Sequence, residues 1–417
     1  MIHRITQHIN VLKSDQTFNL GTFFFLYIAQ AIPMSFFSTS IQVVMRQENY
    51  SLSAIALLQI IKLPWILKFL WSPMVDRYCN TYNGYKRCII FFEITYALLV
   101  LSTSFFDIGD HFYLILGLVI LALSASATQD IATDALAVLS FKREDKSLIN
   151  SMQSMGSFGG ALIGSGLLLL ALQHYGWSTV VPGLSLFVIM AMIPLLFNKK
   201  IIITPKKESQ RARWSDFIWF FTRRSIWKQI GFLVLYYSSI IGTLSVLRPY
   251  LVDLGYSMKE IGIMSGVIGT AAAFITSFIA GFIVRRIGRE RARLWFSIYI
   301  LLTALYFIVL SYETPSRWEL YLGIVLLWSS YGMATIVVYT TAMDAVRPGK
   351  EGTDFTIQTV LTHLSGLVMA VVSGAIADHL GYNGLFIFEA SLAALSVVYI
   401  LVFFRKKETI IISSHEC

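Results

Sequence analysis

The chain reads Ser72-Pro-Met-Val-Asp76-Arg77 and then Gly84-Tyr-Lys86-Arg87 between its second and third apolar segments. Between the eighth and ninth segments it reads Gly281-Phe-Ile-Val-Arg285-Arg286-Ile-Gly288-Arg289-Glu-Arg291. Aligning Asp76 with Arg285 gives an offset of 209 residues. Charged motifs that separate apolar runs and recur at a fixed distance indicate an internal repeat of membrane helices.

Two further matches have nearly the same offset. Tyr50-Ser51-Leu-Ser-Ala-Ile55 matches Tyr256-Ser257-Met-Lys-Glu-Ile261 at 206, and Asp134-Ala135 matches Asp344-Ala345 at 210. The two halves of the chain are therefore expected to share one architecture, in which helices 4 and 10 correspond.

Composition places this repeat in a membrane. Of 417 residues, 56% are hydrophobic and 14% are charged, whereas soluble domains carry about 25% charged residues. Stretches of about 20 apolar residues, long enough to cross a bilayer, lie near 18–41, 53–75, 86–106, 112–140, 149–173, 177–197, 228–250, 258–284, 291–311, 317–344, 354–377 and 382–404. We predict an all-α polytopic membrane protein with twelve transmembrane helices in two pseudo-symmetric six-helix bundles, at 1–197 and 228–417, joined by a cytoplasmic linker at 198–227.

The net charge of +9 is distributed unevenly, because 27 of the 33 Lys and Arg residues lie on one side of the twelve predicted helices. The positive-inside rule then predicts that both termini and the linker are cytoplasmic. The excess of basic residues is thus explained by the orientation of the protein in the membrane, and we expect no nucleic-acid partner. A polar tail precedes a first run long enough to span, so no cleavable signal peptide is expected.

Nothing in the sequence indicates an enzyme. The three cysteines are predicted to be cytoplasmic and reduced, and the seven histidines have no ligand-like spacing. We expect no disulfide, no metal and no cofactor.

Two segments carry local signals. Trp214–Arg224 is aromatic and ends in basic residues, which is typical of a short interfacial helix; the alternative is that it forms the first turns of the seventh helix. Gly156, Gly160 and Gly164 recur every four residues, so another helix is expected to pack closely against the fifth.

Charged residues inside membrane helices are functional candidates, because burying one costs about 2.5–3.5 kcal/mol on insertion scales. Asp130 and Asp134 are four residues apart and share one face of the fourth helix. They suggest a proton-coupling or cation-binding pair. The alternative for Asp134 is an ion pair with Arg77 that locks the cytoplasmic end.

Three basic residues within the predicted helices each have two possible roles. Lys62 and Lys68 would balance the aspartates or hold an anionic solute, although we expect Lys68 to extend to the cytoplasmic interface. Arg248, near the outer end of the seventh helix, would attract a carboxylate or anchor the interface.

A candidate substrate cavity is lined by polar and aromatic side chains of the first, seventh and tenth helices: Tyr27, Gln30, Tyr236, Tyr237, Trp328 and Tyr331. The alternative for the aromatic residues is ordinary packing. A candidate cytoplasmic gate comprises the charged groups of the repeated motifs and their neighbours: Asp76, Arg77, Arg87, Arg285, Arg289 and Asp344. Because Arg285 takes the position of Asp76, the second copy departs from the first.

Three stretches resemble the AmpG-like permeases of the major facilitator superfamily: Leu26-Tyr27-Ile-Ala-Gln30-Ala-Ile-Pro33, Leu63-Pro64-Trp-Ile-Leu-Lys68-Phe-Leu-Trp71-Ser-Pro73-Met-Val-Asp76-Arg77 and Ala127-Thr128-Gln129-Asp130-Ile-Ala-Thr-Asp134-Ala. That group includes muropeptide importers, siderophore importers and acetyl-CoA transporters. The resemblance covers the first half and implies an inner-membrane importer driven by protons, with Lys68, Asp130 and Asp134 at signature positions and Gln129 beside them.

These observations lead to one functional hypothesis. We expect a monomeric, proton-coupled facilitator that moves an amphipathic, anionic solute, a muropeptide or a siderophore, inward by alternating access. The alternative is a non-transporting membrane sensor or assembly factor built on the same scaffold.

Overall fold

A computed structural model describes residues 14–47, 58–107, 110–203, 212–312 and 314–404. The Tyr50–Ile55 copy of the repeat and part of the linker, 204–211, lie outside the described residues. The described part is almost entirely helical and contains no strand.

Twelve membrane segments follow in order, which we number α1 to α12. Their bounds are α1 Ser14–Gln47, α2 58–78, α3 Tyr82–Thr103, α4 Phe112–Ser140, α5 Arg143–Tyr175, α6 Trp177–Phe197, α7 Arg224–Asp253, α8 Met258–Ile287, α9 Arg289–Tyr312, α10 Arg317–Asp344, and α11 and α12 within Glu351–Phe404. Within the described residues, nine helices are long and apolar enough to cross a membrane, one of which contains both α11 and α12. The other two segments are α2, which is broken into short pieces, and α3.

The last two segments form a hairpin, although the helical hydrogen bonding is nearly continuous through them. Gly381 has a φ of 67°, a left-handed conformation that glycine adopts without steric cost. Ser373 donates a 2.5 Å hydrogen bond to Glu389, sixteen residues further on, whereas a straight helix would separate them by about 24 Å. The chain therefore reverses at Gly381, and the twelve-helix prediction is confirmed.

The helices form two bundles, α1–α6 and α7–α12, each with its own apolar core. A third core joins them at one end, where Ala342, Met343 and Phe355 of the second half pack on residues of the first. We call this the basic end, because it carries the α2/α3, α4/α5, α6/α7, α8/α9 and α10/α11 connections. The two halves are in contact there. The domain boundaries given above stay a prediction.

The glycine stripe of α5 packs against α1. A Cβ atom on Gly156 would lie 2.7 Å from Cβ of Tyr27, and one on Gly160 would lie 2.9 Å from the carbonyl carbon of Ala31. Both separations are shorter than carbon–carbon contacts in proteins. The predicted close approach is confirmed, and it places Tyr27 beside α5.

A separate helix, Asp216–Thr222, precedes α7. Arg223 leaves the helical conformation with a ψ of 117°, and α7 begins at Arg224. The alternative, that this segment forms the first turns of α7, is wrong. We call Asp216–Thr222 the linker helix.

Substituting Gly160→Ala tests the packing of α1 on α5. The added methyl group has no room, so we expect the free energy of unfolding in detergent to fall by about 1–3 kcal/mol. Gly166→Ala is the matched control, since a Cβ atom there meets nothing within 4 Å. Equal stability of the two variants would contradict the close approach.

Candidate functional site

The ion pair of Lys68 and Asp130 lies inside the first half. The Lys68 ammonium contacts the Asp130 carboxylate, and their side chains are 4% and 3% exposed. Lys68 begins the short turn Lys68–Leu70, where α2 is broken, and its ammonium also lies 4.8 Å from the Trp65 ring centroid. The prediction that Lys68 extends to the interface is wrong, because a carboxylate on α4 compensates its charge inside the bundle.

The hydrogen bonds that described residues donate to Asp134 come from neutral groups. Its Oδ1 accepts hydrogen bonds from the Tyr27 hydroxyl at 2.8 Å and from the Gln153 amide at 3.1 Å. Its Oδ2 is buried and makes no hydrogen bond with any described residue. Arg77 is exposed and makes no ion pair with the buried Asp134. The suggested pair of Asp134 with Arg77 is therefore wrong.

Further hydrogen bonds tie the same helices together. The Gln30 amide donates to Gln129, which lies next to Asp130 on α4. The Trp71 indole donates to Thr128 at 3.1 Å. Side chains of α1, α2, α4 and α5 thus form one buried group, which we call the polar cluster: Tyr27, Gln30, Lys68, Gln129, Asp130, Asp134 and Gln153.

Aromatic residues of the second half form a neighbouring group. Tyr331 lies 6.1 Å from Trp328, 5.8 Å from Tyr237 and 5.4 Å from Phe158 between ring centroids. The Tyr237 hydroxyl is 2.6 Å from the Thr335 hydroxyl. We call these rings the aromatic cluster. Phe158 belongs to α5, the helix that also carries Gln153, so α5 contacts both groups.

The remaining candidates lie apart from these two groups. Tyr236 is buried inside the second half, where its hydroxyl donates to the backbone of Arg293 at 3.1 Å. Lys62 is half-buried and Arg248 is exposed, and neither makes an ion pair with a described residue. The structure therefore does not bring these three residues to the polar cluster.

At the basic end, Asp76 binds the start of α11. Its buried carboxylate accepts hydrogen bonds from the backbone N–H groups of Gly352 at 3.1 Å and Thr353 at 2.6 Å, and from the Thr353 hydroxyl at 2.8 Å. The first N–H groups of a helix lack intrahelical partners and carry partial positive charge. A side chain of the first half thereby caps a helix of the second.

The second copy of the motif makes the reciprocal contact. Arg285, at the end of α8, forms a 2.9 Å ion pair with Asp145 at the start of α5. Ser147 and Ser151 of α5 donate 2.9 Å hydrogen bonds to the carbonyl groups of Gly281 and Ser277 on α8. The substitution of Arg285 for Asp76 in the repeat is thus matched by an acid on the opposite helix.

Asp344 is the centre of a third contact. It pairs with Arg289 at 2.7 Å, and with Arg143 and Lys146 of the first half at 3.6 and 3.7 Å. Although Asp344 aligns with Asp134, it is the last residue of α10, whereas α4 continues to Ser140. The two repeat partners therefore lie at different depths. Arg77 and Arg87 are exposed and make no ion pair within the part of the chain described.

Comparison with known proteins identifies the family. Residues 22–370 match the model of the Major Facilitator Superfamily. The chain belongs to that superfamily and is a multi-pass membrane transporter.

Its relatives include an anhydromuropeptide permease and a putative AmpG transporter. The chain is 22% identical over 386 residues to the anhydromuropeptide permease of Escherichia coli K12, covering 90% of this chain and 78% of that protein. It is 24% identical over 421 residues to the putative transporter AmpG 4 of Rickettsia conorii, covering 96% of this chain and 99% of that protein.

Solved structures share the fold. A bacterial homologue of the iron transporter ferroportin, crystallised in an outward-facing state, superposes with a TM-score of 0.65 at 16% identity, covering 93% of this chain and 98% of that one. A proton:xylose symporter superposes with a TM-score of 0.64 at 10% identity, covering 94% and 95%.

Sequence reasoning missed several partners in these contacts. Gln153 lies on the glycine face of α5, three residues before Gly156, and this i,i+3 spacing was a usable signal for a residue facing α1. Asp145, Gly352 and Thr353 gave no comparable signal, because they belong to loops and helix ends that the repeat alignment does not match.

Removing the charge of Lys68 tests the buried pair. Lys68→Met leaves Asp130 uncompensated, so we expect a loss of about 3–5 kcal/mol in the free energy of unfolding, measured by SDS titration in mixed micelles. Lys68→Met with Asp130→Asn should recover most of that loss. Lys62→Met is the control and should have little effect; an equal effect at both lysines would contradict the pairing.

Proposed function

We propose that this protein imports an anionic, amphipathic solute of the anhydromuropeptide class across the inner membrane, coupled to protons, by alternating access as a monomer. The proposal is supported most by one observation: two neighbouring carboxylates, Asp130 and Asp134, are buried in the first half, and the Lys68 ammonium group pairs with Asp130 while neutral groups donate to Asp134. The relationship to the permease of Escherichia coli supports the class of solute.

The coupling hypothesis follows from the charges of the polar cluster. Lys68 balances Asp130, and the partners of Asp134 are a phenol and an amide. A second unbalanced negative charge at membrane depth is costly, so binding one proton at Asp134 would make the cluster neutral. The Asp134 Oδ2 atom, which makes no hydrogen bond with a described residue, is the atom we assign to that proton.

The two clusters together suit an amphipathic solute. Binding sites for small molecules combine apolar and aromatic walls with a few polar groups that fix orientation. In this proposal the half-buried rings of Trp328 and Tyr331 contact sugar rings, and the amides of the polar cluster hydrogen-bond to hydroxyl and carboxylate groups of the solute. A siderophore shares the anionic character, so it is the competing solute to test.

The orientation of the chain in the membrane determines which conformational state of the transporter the structure represents. If the basic end is cytoplasmic, as its Lys and Arg residues favour, the contacts of Asp76, Arg285 and Asp344 close the cytoplasmic side. The structure then corresponds to an outward-facing arrangement. Import requires these contacts to break.

Uptake into proteoliposomes tests the function. We expect labelled anhydromuropeptide to accumulate when a proton gradient is imposed, and unlabelled anhydromuropeptide, but not a ferric siderophore, to compete. Binding without accumulation would favour the alternative, a membrane sensor on a transporter scaffold.

Asp134→Asn separates coupling from binding. The amide keeps the shape of the side chain and can still accept from Tyr27, but it cannot gain or lose a proton. We expect gradient-driven accumulation to fall at least tenfold while solute counterflow persists. Glu93→Gln is the control, because Glu93 is another buried carboxylate without a hydrogen-bond partner among the described residues. Unchanged accumulation in Asp134→Asn would remove Asp134 from the coupling step.

Asp76→Asn tests the gate. Loss of the charged helix cap should weaken the closed state by about 1–2 kcal/mol, so a cysteine at the buried position Ser154→Cys should react about five- to thirtyfold faster with a thiol reagent added at the basic end. The native cysteines are first replaced by serine. Asp378→Asn, an exposed acid at the opposite end of α11, should leave the labelling rate unchanged; faster labelling in both variants would contradict a specific cap.

A further inference from the structure

The linker helix has two unlike faces. Its inner face buries Asp216 and Phe220. Its outer face and the adjoining turns expose large apolar side chains by more than half: Trp214 58%, Ile218 68%, Trp219 59% and Trp227 57%. Such side chains favour the boundary between hydrocarbon and headgroups over water.

Three exposed basic residues lie beside this face. Arg213, Arg224 and Lys228 flank the tryptophans in the sequence and are exposed. None of the three makes an ion pair with a described residue. Tryptophans beside a cluster of basic side chains fit a membrane surface that carries negative charge.

The inner face is connected to the closed basic end. The Asp216 carboxylate accepts from Lys350 at 2.6 Å and lies 3.5 Å from Arg347. Arg347 in turn forms a 2.6 Å ion pair with Asp354 in the first turn of α11. This is the helix start that Asp76 caps from the first half, so α11 is held from two sides.

A second contact reaches the first half. Phe217 of the linker helix stacks on Phe69 of α2, with ring centroids 5.3 Å apart and an interplanar angle of 25°. Phe69 is the neighbour of Lys68 in the broken part of α2. The linker helix therefore contacts both halves at the end where they close.

We propose that the linker helix lies in the membrane interface, binds anionic phospholipid headgroups through Arg213, Arg224 and Lys228, and thereby stabilises the state closed at the basic end. The inference rests on the proposed function for the orientation of the chain and for the opening of that end. Binding restrains the linker helix in the position where Asp216 meets Arg347 and Lys350, and where Phe217 meets Phe69. Anionic lipid then opposes opening, because opening separates the two halves that the linker helix joins.

The first experiment measures lipid binding. The full-length protein is placed in nanodiscs of phosphatidylcholine with or without phosphatidylglycerol, and retained phosphatidylglycerol is counted by native mass spectrometry. Each basic side chain near an anionic surface contributes about fivefold in affinity. The triple variant Arg213→Gln, Arg224→Gln, Lys228→Gln should therefore bind phosphatidylglycerol about a hundredfold more weakly.

The matched control neutralises three other exposed cations of the basic end: Lys142→Gln, Arg286→Gln and Arg291→Gln. It should retain phosphatidylglycerol within about threefold of the unchanged protein. Equal weakening in both triple variants would show a general effect of net charge and would overturn the assigned site.

The second experiment measures closure by the labelling rate of Ser154→Cys. We expect labelling from the basic end to be at least threefold slower with phosphatidylglycerol than without it, and the difference to disappear in the linker triple variant. Asp216→Asn should still bind the lipid but lose the difference. If the labelling rate of the protein with the native linker helix is the same with and without phosphatidylglycerol, the proposed coupling between lipid binding and closure is overturned. Neither readout uses a solute or a proton gradient, so failure here is distinguishable from failure of the proposed transport function.

Discussion

The buried ion pair of Lys68 and Asp130 is the interaction on which the first half depends. Each charge alone would be costly at membrane depth, and together they are tolerated only because α2 and α4 bring them into contact. That pairing uses the one cation of the polar cluster. Asp134 then accepts hydrogen bonds from a phenol and an amide. The two neighbouring carboxylates therefore differ in charge compensation, and the proposed proton binding at Asp134 depends on this difference.

The repeat preserves geometry at the basic end while exchanging charge. In the first copy an acid, Asp76, binds the positive start of α11; in the second a base, Arg285, binds an acid at the start of α5. Each contact joins the end of one helix to the beginning of a helix in the other half. The two contacts serve equally well although their charges are reversed, because in each of them a charged side chain meets a group of opposite charge or partial charge. A repeat can therefore diverge in sequence without losing the closure that it forms.

Much of this arrangement could be predicted from the sequence, and the parts that could not have a common cause. Hydropathy gave the number of spans, and the four-residue spacing placed Asp130 and Asp134 on one face. Neither says which helix a side chain faces. Lys68 points inward at the residue where α2 is broken, and Tyr236 contacts α9 although its neighbour Tyr237 joins the aromatic cluster. The cap on α11 depends on loop geometry that no periodicity encodes.

Helix α5 contacts both the polar cluster and the closed basic end. Gln153 donates to Asp134, and Ser151, two residues earlier, donates to the backbone of α8. The glycine stripe on the same helix brings α5 and α1 into close contact, so the regular α-helical part of α5, Lys146–Leu162, has little room to bend. A change of charge at Asp134 alters the bond that Gln153 makes, and any shift of α5 that follows must pass through the contacts with α8. The helical segment Lys146–Leu162 thus contacts both the proposed proton site and the closed basic end.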